Sequence, residues 1–271
     1  MGPIGIFDSG YGGLTILKDI REELPDYDYL YFGDNARAPY GSRSFDVVYE
    51  YTLEAVQALF DRGCHLVILA CNTASAKALR TIQQNDLPKI DPQRRVLGVI
   101  RPSAEIIGQF TKTNAIGILA TQGTVASESY KIEIKNFSPQ SSVFQQACPM
   151  WVPLIENNEH ETEAGREFIR NDIKSLMNQD KNIDTIVLGC THYPVLKDYI
   201  QSIVPDHVKV IAQGKIVAAS LHDYLRRHPW LDAKCSRNGT LHFLTSENTA
   251  EFNANAEKFI GEPVSSSHLS L

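Results

Sequence analysis

The sequence has no long apolar segment and no block of basic residues. No stretch approaches the roughly 20 consecutive apolar residues that span a bilayer, and the N-terminus lacks the basic and apolar regions of a signal peptide. The chain has 26 basic and 32 acidic residues and a formal net charge of −6. Without a Lys/Arg run it offers no surface that tracks phosphates. We therefore expect a cytoplasmic protein that binds neither a membrane nor nucleic acid.

The cysteines form neither a disulfide framework nor a zinc motif. There are five of them, an odd number, at positions 64, 71, 148, 190 and 235, and a reducing compartment would keep them as thiols. The chain has no Cys-x-x-Cys and no tight histidine pair that could complete a zinc site around Cys190 and His192. We therefore expect no metal.

Strand-like and helix-like segments alternate along the chain, and this alternation predicts a parallel α/β fold. At 271 residues and 43% hydrophobic, the chain can form one large domain or two ordinary ones. The predicted strands, rich in β-branched residues, are 3–7, 27–32, 66–70, 96–100, 115–119, 142–146, 183–188 and 208–211. The serine-containing tail, 262–271, is expected to fray.

Two pairs of segments echo each other. LVILACNT at 66–73 matches TIVLGCTH at 185–192, and GIFDSG at 5–10 matches GILATQG at 117–123. This repetition suggests a diverged duplication. We expect two similar parallel-sheet α/β domains related by pseudo-twofold symmetry, with the active site in the cleft between them. Residues 1–97 plus 208–271 would form a discontinuous domain A, and residues 98–207 would form domain B.

Each repeated segment places a cysteine at the end of a buried strand, where parallel sheets bind ligands. A lone cysteine there is usually a small core residue. Two in matching positions could face one small molecule from opposite sides, and an ordinary thiol pKa of about 8.5 allows both thiol and thiolate near neutrality. Cys71 and Cys190 could therefore remove a proton from one face of a carbon and replace it on the other, as a racemase does.

Other candidate residues have simpler alternatives. Asp8 precedes a predicted helix and could be its N-cap, and the nearby glycines are a poor dinucleotide fingerprint because Thr15 replaces the third glycine. His192 could exchange protons with Cys190 or be a loop histidine bonded to backbone. Residues 33–41 could form an ordinary turn or hold a carboxylate, and Thr121 could cap a helix or contribute to an anion site.

Four motifs, taken together, closely resemble those of the bacterial glutamate racemases of the aspartate/glutamate racemase family. They are GIFDSGYGGLT at 5–15, GDNARAPYG at 33–41, ACNTASA at 70–76 and LGCTHYP at 188–194, in the family's order. The resemblance implies an enzyme that interconverts L- and D-glutamate, supplies D-glutamate for peptidoglycan, and uses neither a metal nor an organic cofactor.

The resemblance also implies roles for individual residues. Cys71 and Cys190 would be the acid/base thiols, with Asp8 and His192 as their respective assistants. Cys71 would take the α-proton from D-glutamate and Cys190 from L-glutamate. The implied substrate-holding positions are Ser9, Pro39, Tyr40, Gly41, Asn72, Thr73, Thr121 and Thr191. We also expect a homo-oligomer, a dimer in the simplest case, although the sequence itself does not give the oligomeric state.

One motif departs from the family pattern, and two other functions remain open. Ala212-Gln213 stands where the family often has an acidic residue followed by serine, which leaves the role of that turn undecided. Aspartate racemases usually have Glu where His192 stands and lack the Asp-Ser-Gly opening, so the sequence favours glutamate. The alternatives are a racemase of aspartate or a related amino acid, and a non-catalytic amino-acid binding protein.

Overall fold

The computed structural model describes residues 1–271, and its ten strands form two fully parallel sheets. The strands of the first sheet are β1 (Ile4–Asp8), β2 (Tyr29–Gly33), β3 (Leu66–Leu69), β4 (Arg95–Gly98), β9 (Leu241–Thr245) and β10 (Ser266–His268). Those of the second sheet are β5 (Ala115–Ala120), β6 (Ser142–Ala147), β7 (Thr185–Gly189) and β8 (Lys209–Ile211).

Fourteen α-helices connect and cover the sheets. They are α1 (Gly13–Glu23), α2 (Phe45–Asp61), α3 (Asn72–Lys77), α4 (Leu79–Thr81), α5 (Leu87–Ile90), α6 (Ile100–Ile107), α7 (Gln122–Ala126), α8 (Ser129–Phe137), α9 (Trp151–Glu156), α10 (Glu163–Gln179), α11 (Lys197–Ile203), α12 (Gly214–Arg227), α13 (Pro229–Asp232) and α14 (Thr249–Ile260). Single turns of 3₁₀-helix span Asn35–Arg37, Glu159–Glu161 and Tyr193–Leu196, and a π-helical turn spans Ile82–Asp86. None of the helices is both long and apolar enough to cross a membrane.

The two sheets repeat one strand order. The first runs β10-β9-β2-β1-β3-β4 and the second runs β6-β5-β7-β8, so the order β2-β1-β3-β4 recurs in the second unit. The predicted pair of similar parallel α/β units is confirmed. Cys71 follows β3 and Cys190 follows β7, which are equivalent strands, and both cysteines therefore emerge at the carboxyl ends of their sheets.

The central strands are apolar because both of their faces are covered. Every residue of β1, β3, β5 and β7 is buried. In β1, Ile4 and Ile6 pack into the core on one face of the first sheet, whereas Phe7 packs into the core on the other. This is the pattern expected of a parallel sheet between two helical layers.

The expectation that the strand at 208–211 returns to the first domain is wrong. Lys209–Ile211 pairs in parallel with β7 and is the edge strand of the second sheet, because Val208 and Val210 complete the apolar core of that unit. The chain returns to the first unit one element later, through α12, whose Val217 and Leu221 belong to the core around β1 and α1.

The C-terminal tail does not fray as expected. Ser266–His268 forms β10, which pairs in parallel with β9, and both strands extend the first sheet. The side chains of Val264 and Leu269 are buried on either side of this short strand. The two apolar contacts and the backbone hydrogen bonds of the sheet edge compensate for the polar sequence.

Candidate active site

The carboxyl ends of the two sheets face a cavity of about 90 Å³. Eleven of the twelve site residues expected from the sequence line it: Ser9, Pro39, Tyr40, Gly41, Cys71, Asn72, Thr73, Thr121, Cys190, Thr191 and His192. The twelfth, Asp8, is buried behind this wall and accepts a hydrogen bond from the Thr191 hydroxyl, at 3.3 Å. The structure therefore brings together residues from four separate motifs.

Cys71 occupies the N-cap position of α3. Its Sγ accepts a hydrogen bond from the Ala74 backbone N–H at 3.4 Å and lies 3.4 Å from the Ser9 hydroxyl. The side chain is only 5% exposed. Burial raises the pKa of the Cys71 thiol to about 12, and the negative charge of Asp8 adds to this effect. Both effects favour the protonated form of Cys71.

Asp8 lies at the end of β1 with its carboxylate turned inward. Oδ1 accepts from the Gly10 backbone N–H at 2.9 Å, and burial raises the pKa of the carboxyl group despite the opposing charge of His192. The N-cap position of α1 belongs to Gly12 and has no side-chain cap bond. Asp8 is therefore not the N-cap residue of α1, although its carboxylate also interacts with the Gly13 backbone N–H in the first turn of that helix.

Cys190 has a different environment, dominated by His192. The Cys190 Sγ lies 3.9 Å from His192 Nδ1, and His192 Nε2 lies 2.9 Å from the Glu156 carboxylate. Burial alone would lower the pKa of His192, but the contacts with Cys190 and Glu156 raise it to about 10. The imidazole is therefore a cation near neutral pH, placed between the Cys190 sulfur and the Glu156 carboxylate.

The two halves of the site approach closely at Gly12. A Cβ atom at this position would lie 2.3 Å from the Thr191 hydroxyl and 2.5 Å from His192 Nδ1, so only glycine fits without displacing the loop that carries Cys190. Thr15 joins the same loop, since its hydroxyl donates to the Thr191 carbonyl at 2.9 Å. Close packing therefore accounts for Gly12, without a role in dinucleotide binding.

Hydroxyl groups line another wall of the cavity. Thr73 Oγ1 and Thr121 Oγ1 are 2.9 Å apart, and Thr121 caps α7 by accepting from the Thr124 backbone N–H at 3.3 Å. The loop at 38–42 closes over this wall, with the Gly123 N–H donating to the Gly41 carbonyl at 2.8 Å. These contacts join the first unit to the second beside the cavity.

Buried side chains position that loop from below. Tyr40 donates its phenolic hydrogen to the Asp34 carboxylate, which also accepts from Arg37 Nε at 2.7 Å. Asp34 is fully buried. The Arg37 guanidinium forms ion pairs with Asp34 and Glu54. Arg37 does not line the cavity.

Sequence reasoning missed Glu156 and Tyr130 and left Gln213 undecided. Glu156 ends α9 and lines the cavity beside His192, while the Tyr130 hydroxyl donates to Asn72 Oδ1 at 2.7 Å. Neither residue stands in a recognisable motif, and each is distant in sequence from its partner. Gln213 is 2% exposed and accepts from Asn72 Nδ2 at 2.9 Å.

The site supplies acid/base groups and hydrogen-bond donors. Two cysteine sulfurs, a cationic imidazole and several hydroxyl groups line one small cavity, and a buried carboxylate lies behind its wall. No three His, Cys, Asp or Glu side chains are grouped as metal ligands. The arrangement suits proton transfer to and from a small polar molecule.

Comparisons with known proteins agree with this chemistry. The family model for Asp/Glu/hydantoin racemases matches residues 13–221. A glutamate racemase of Levilactobacillus brevis is 39% identical over 272 residues, which cover 99% of this chain and 95% of that protein. Another, from Geobacter metallireducens, is 39% identical and covers 95% of this chain and 92% of its own length.

Solved structures give the same result. Glutamate racemase isoform RacE1 of Bacillus anthracis has a TM-score of 0.90 at 32% identity and covers all of this chain and 98% of its own. The glutamate racemase of Francisella tularensis, solved in complex with D-glutamate, has a TM-score of 0.84 at 30% identity, covering all of this chain and 97% of that one.

Proposed function

The chain belongs to the Asp/Glu/hydantoin racemase family, and on this premise we propose that it is a glutamate racemase that interconverts L- and D-glutamate. The observation that carries the proposal is the placement of Cys71 and Cys190 after equivalent strands on one cavity. The relatives named as glutamate racemases, at 39% identity over nearly the full chain, support glutamate as the substrate.

The proposed reaction is a two-base 1,1-proton transfer that needs no cofactor. From L-glutamate, the Cys190 thiolate takes the α-proton, so that an S–H bond forms as the Cα–H bond breaks. The electron pair left on the planar intermediate then takes the proton of the Cys71 thiol on the opposite face, which gives D-glutamate and a Cys71 thiolate. From D-glutamate the two thiols exchange roles.

The neighbouring groups assist the two thiols in different ways. His192, a cation whose pKa is raised to about 10, stabilises negative charge at the Cys190 position or delivers a proton to it. Asp8 is a buried carboxylate beside the Cys71 half of the site, and its charge favours the protonated form of Cys71. The contact between His192 and Cys190 supports the first assignment, and the family resemblance of the motifs supports both.

The substrate carboxylates would be held by neutral donors. The hydroxyls of Ser9, Thr73, Thr121 and Thr191 line the cavity together with the loop at 39–41. Donors in a small, largely buried site act more strongly than in water, because solvent does not compete with them. This environment supports removal of a weakly acidic α-proton, since negative charge builds on the substrate carboxylate as the proton leaves.

The direct test is circular dichroism of L-glutamate incubated with the purified protein in the presence of EDTA and without additives. We expect the signal to decay to zero, because the two enantiomers have equal free energy, and we expect aspartate to react far more slowly. Binding of glutamate without decay would favour the non-catalytic alternative. Faster decay with aspartate would favour the other racemase.

The proposal also includes the biological role, the cellular location and the oligomeric state of the protein. Supply of D-glutamate for peptidoglycan, a cytoplasmic location and a homo-oligomeric state follow from the family resemblance. The five buried thiols, none of them paired, suit a reducing compartment. Light scattering of the purified protein, with and without glutamate, measures the oligomeric state directly, and a dimer is expected.

A further inference from the structure

Gln213 lies where the chain leaves the second sheet. It follows the end of β8 and stands at the N-cap position of α12, yet its side chain makes no cap bond. Instead the side chain is buried. Nε2 donates to the Val99 carbonyl at 3.0 Å and to the Ser103 hydroxyl at 2.9 Å, and Oε1 accepts from Asn72 Nδ2 at 2.9 Å.

One backbone group fixes the orientation of both amides in this network. The Val99 carbonyl can only accept a hydrogen bond, so Gln213 must present its NH₂ group there and its oxygen to Asn72. Asn72 must then turn its NH₂ group to Gln213 and its oxygen to the Tyr130 hydroxyl, which donates at 2.7 Å. Burial raises the pKa of Tyr130, so the phenol keeps the proton that it donates.

This orientation matters because Asn72 adjoins Cys71 and lines the cavity. Its Nδ2 carries two hydrogens, and only one of them has a partner in the protein. The remaining N–H is a donor in the wall of a site that must hold an anionic amino acid. A reversed amide would offer an acceptor oxygen instead, which would repel a carboxylate.

The network also spans both connections between the sheets. Val99 directly follows β4, where the chain leaves the first sheet, and Gln213 lies where it leaves the second. Asn72 belongs to α3 of the first unit, while Tyr130 belongs to α8 of the second. The orientation of Asn72 therefore depends on how these two connections pack against each other.

We propose that Gln213 is a positioning residue for racemisation: it holds the Asn72 amide so that an N–H donor faces the bound substrate. This inference rests on the proposed function. Gln213 does not contact the cavity and acts only through Asn72, so it also explains why the Ala212-Gln213 turn can depart from the family pattern and still serve the site.

The test compares Gln213→Met, Asn72→Ala and the double variant. Methionine keeps the length of the side chain and removes both polar groups. We expect KM to rise roughly tenfold for both enantiomers, since a hydrogen bond to a charged group contributes about 1.5–3 kcal/mol and each 1.36 kcal/mol corresponds to a factor of ten. The change in kcat should be smaller. In the Asn72→Ala background, Gln213→Met should raise KM no further.

Gln201→Met, at an exposed position, is the control for the loss of a glutamine side chain that bonds at both ends. Gln201 also donates to one backbone carbonyl (Val208, 2.8 Å) and accepts from one backbone N–H (Val210, 3.0 Å), but it lies outside the cavity. We expect this variant to lose stability and to keep the wild-type KM. Gln213→Glu adds a pH readout. A protonated carboxyl can donate to Val99 and accept from Asn72, whereas an ionised carboxylate is repelled by the Val99 carbonyl oxygen and leaves its place beside Asn72. KM should therefore approach the wild-type value in acid and rise with pH.

Two results would overturn the inference. One is an unchanged KM in Gln213→Met. Should that variant not fold, the equivalent result is a KM in Gln213→Glu that changes with pH no more than the wild-type KM does. The other is a double variant whose KM rises by the product of the two single effects. Wild-type protein that binds glutamate without racemising it would instead contradict the proposed function.

Discussion

The two halves of the site have the same arrangement of strand and cysteine, but the charged residues beside the two cysteines differ. Cys71 caps a helix, with a backbone N–H and the Ser9 hydroxyl at its sulfur, and the nearest charge is the carboxylate of Asp8. Cys190 is followed by a 3₁₀ turn instead of a capped helix. Its neighbour is the His192 cation, which in turn contacts Glu156.

The difference shows that duplicated strands do not impose duplicated chemistry. A carboxylate beside one sulfur favours a thiol, whereas a cation beside the other is the arrangement that supports a thiolate. The two cysteines therefore have neighbours of opposite charge, Asp8 on one side and His192 on the other. In the proposed reaction each cysteine is the base in one direction and the acid in the other, so each has its own neighbouring group to act on its proton.

The largest effect should come from replacing either sulfur. Cys71→Ser and Cys190→Ser should each lower kcat by about 10³-fold or more, because a hydroxyl is a far poorer base than a thiolate. The rate of racemisation measured by circular dichroism tests this. Cys235→Ser is the control, since the Cys235 thiol already donates to the Leu231 carbonyl and a hydroxyl can do the same. Substantial activity in either active-site variant would contradict the two-thiol account.

Replacing Asp8 or His192 should affect one half of the site more than the other. Asp8→Asn and His192→Asn should each lower kcat by ~10²-fold. If Asp8 assists Cys71 as proposed, Asp8→Asn should slow transfer at Cys71. The α-deuterium isotope effect on kcat/KM should then grow from D-glutamate, whose Cα–H bond Cys71 is proposed to break, and shrink from L-glutamate. His192→Asn should give the reverse pattern. Identical changes from both enantiomers would remove the assignment of one assistant to each thiol.

Glu156→Gln should have a smaller effect, of about tenfold in kcat. The Glu156 carboxylate is among the contacts that raise the pKa of His192, so removing its charge should move the alkaline limit of kcat to lower pH. A pH–rate profile measures this shift. Glu159→Gln, at an exposed position one turn away, should leave the profile unchanged. If Glu156→Gln had the wild-type pH–rate profile, the contact with Glu156 would not raise the pKa of His192 in the working enzyme.

The smallest effects concern stability and distinguish Asp8 from a structural carboxylate. Burial raises the pKa of Asp8, so its ionised form weakens folding as pH rises above about 3.9. Asp8→Asn should therefore not lower the free energy of unfolding at pH 7. The pKa of Asp28 is lowered, because hydrogen bonds from residues 236, 238 and 240 outweigh its burial. Its stabilisation is present above about pH 3.9 and is lost as pH falls.

Urea unfolding at pH 7 and in acid checks this contrast. Asp28→Asn should lower the free energy of unfolding at pH 7 by roughly 1–3 kcal/mol, and the difference from wild type should shrink in acid. A ~10²-fold loss of kcat corresponds to about 2.7 kcal/mol. If Asp8→Asn lowered the free energy of unfolding by a similar amount, Asp8 would be structural, and the contrast between the half-sites would fail.

Much of the fold and most of the site could be predicted from the sequence because their signals are local. The repeated strand-cysteine segments indicate two parallel units, and the ends of parallel strands fix where Cys71 and Cys190 emerge. The polar sequence of the tail wrongly predicts a frayed end, because β10 becomes a strand only by pairing with β9. The strand at Lys209–Ile211 was assigned to the wrong sheet because an apolar run does not reveal its neighbour.

The remaining site residues depend on distant contacts. Glu156 meets His192 across 36 positions, and Gln213 meets Asn72 across 141. A glutamate ending a helix and a glutamine before one are ordinary in sequence. The fold of the second unit brings Glu156 to His192, and the packing of the two units against each other brings Gln213 to Asn72, so local patterns contain no signal for either residue.

Hydrogen exchange at Cα in heavy water tests the central claim most directly. If Cys71 and Cys190 act on opposite faces, the thiol that protonates the intermediate carries a solvent deuteron. Early in the reaction, mass spectrometry should find deuterium at Cα of the product formed from either enantiomer and little in the unreacted substrate. Product that retains the substrate hydrogen would show a single base acting on both faces and would contradict the account.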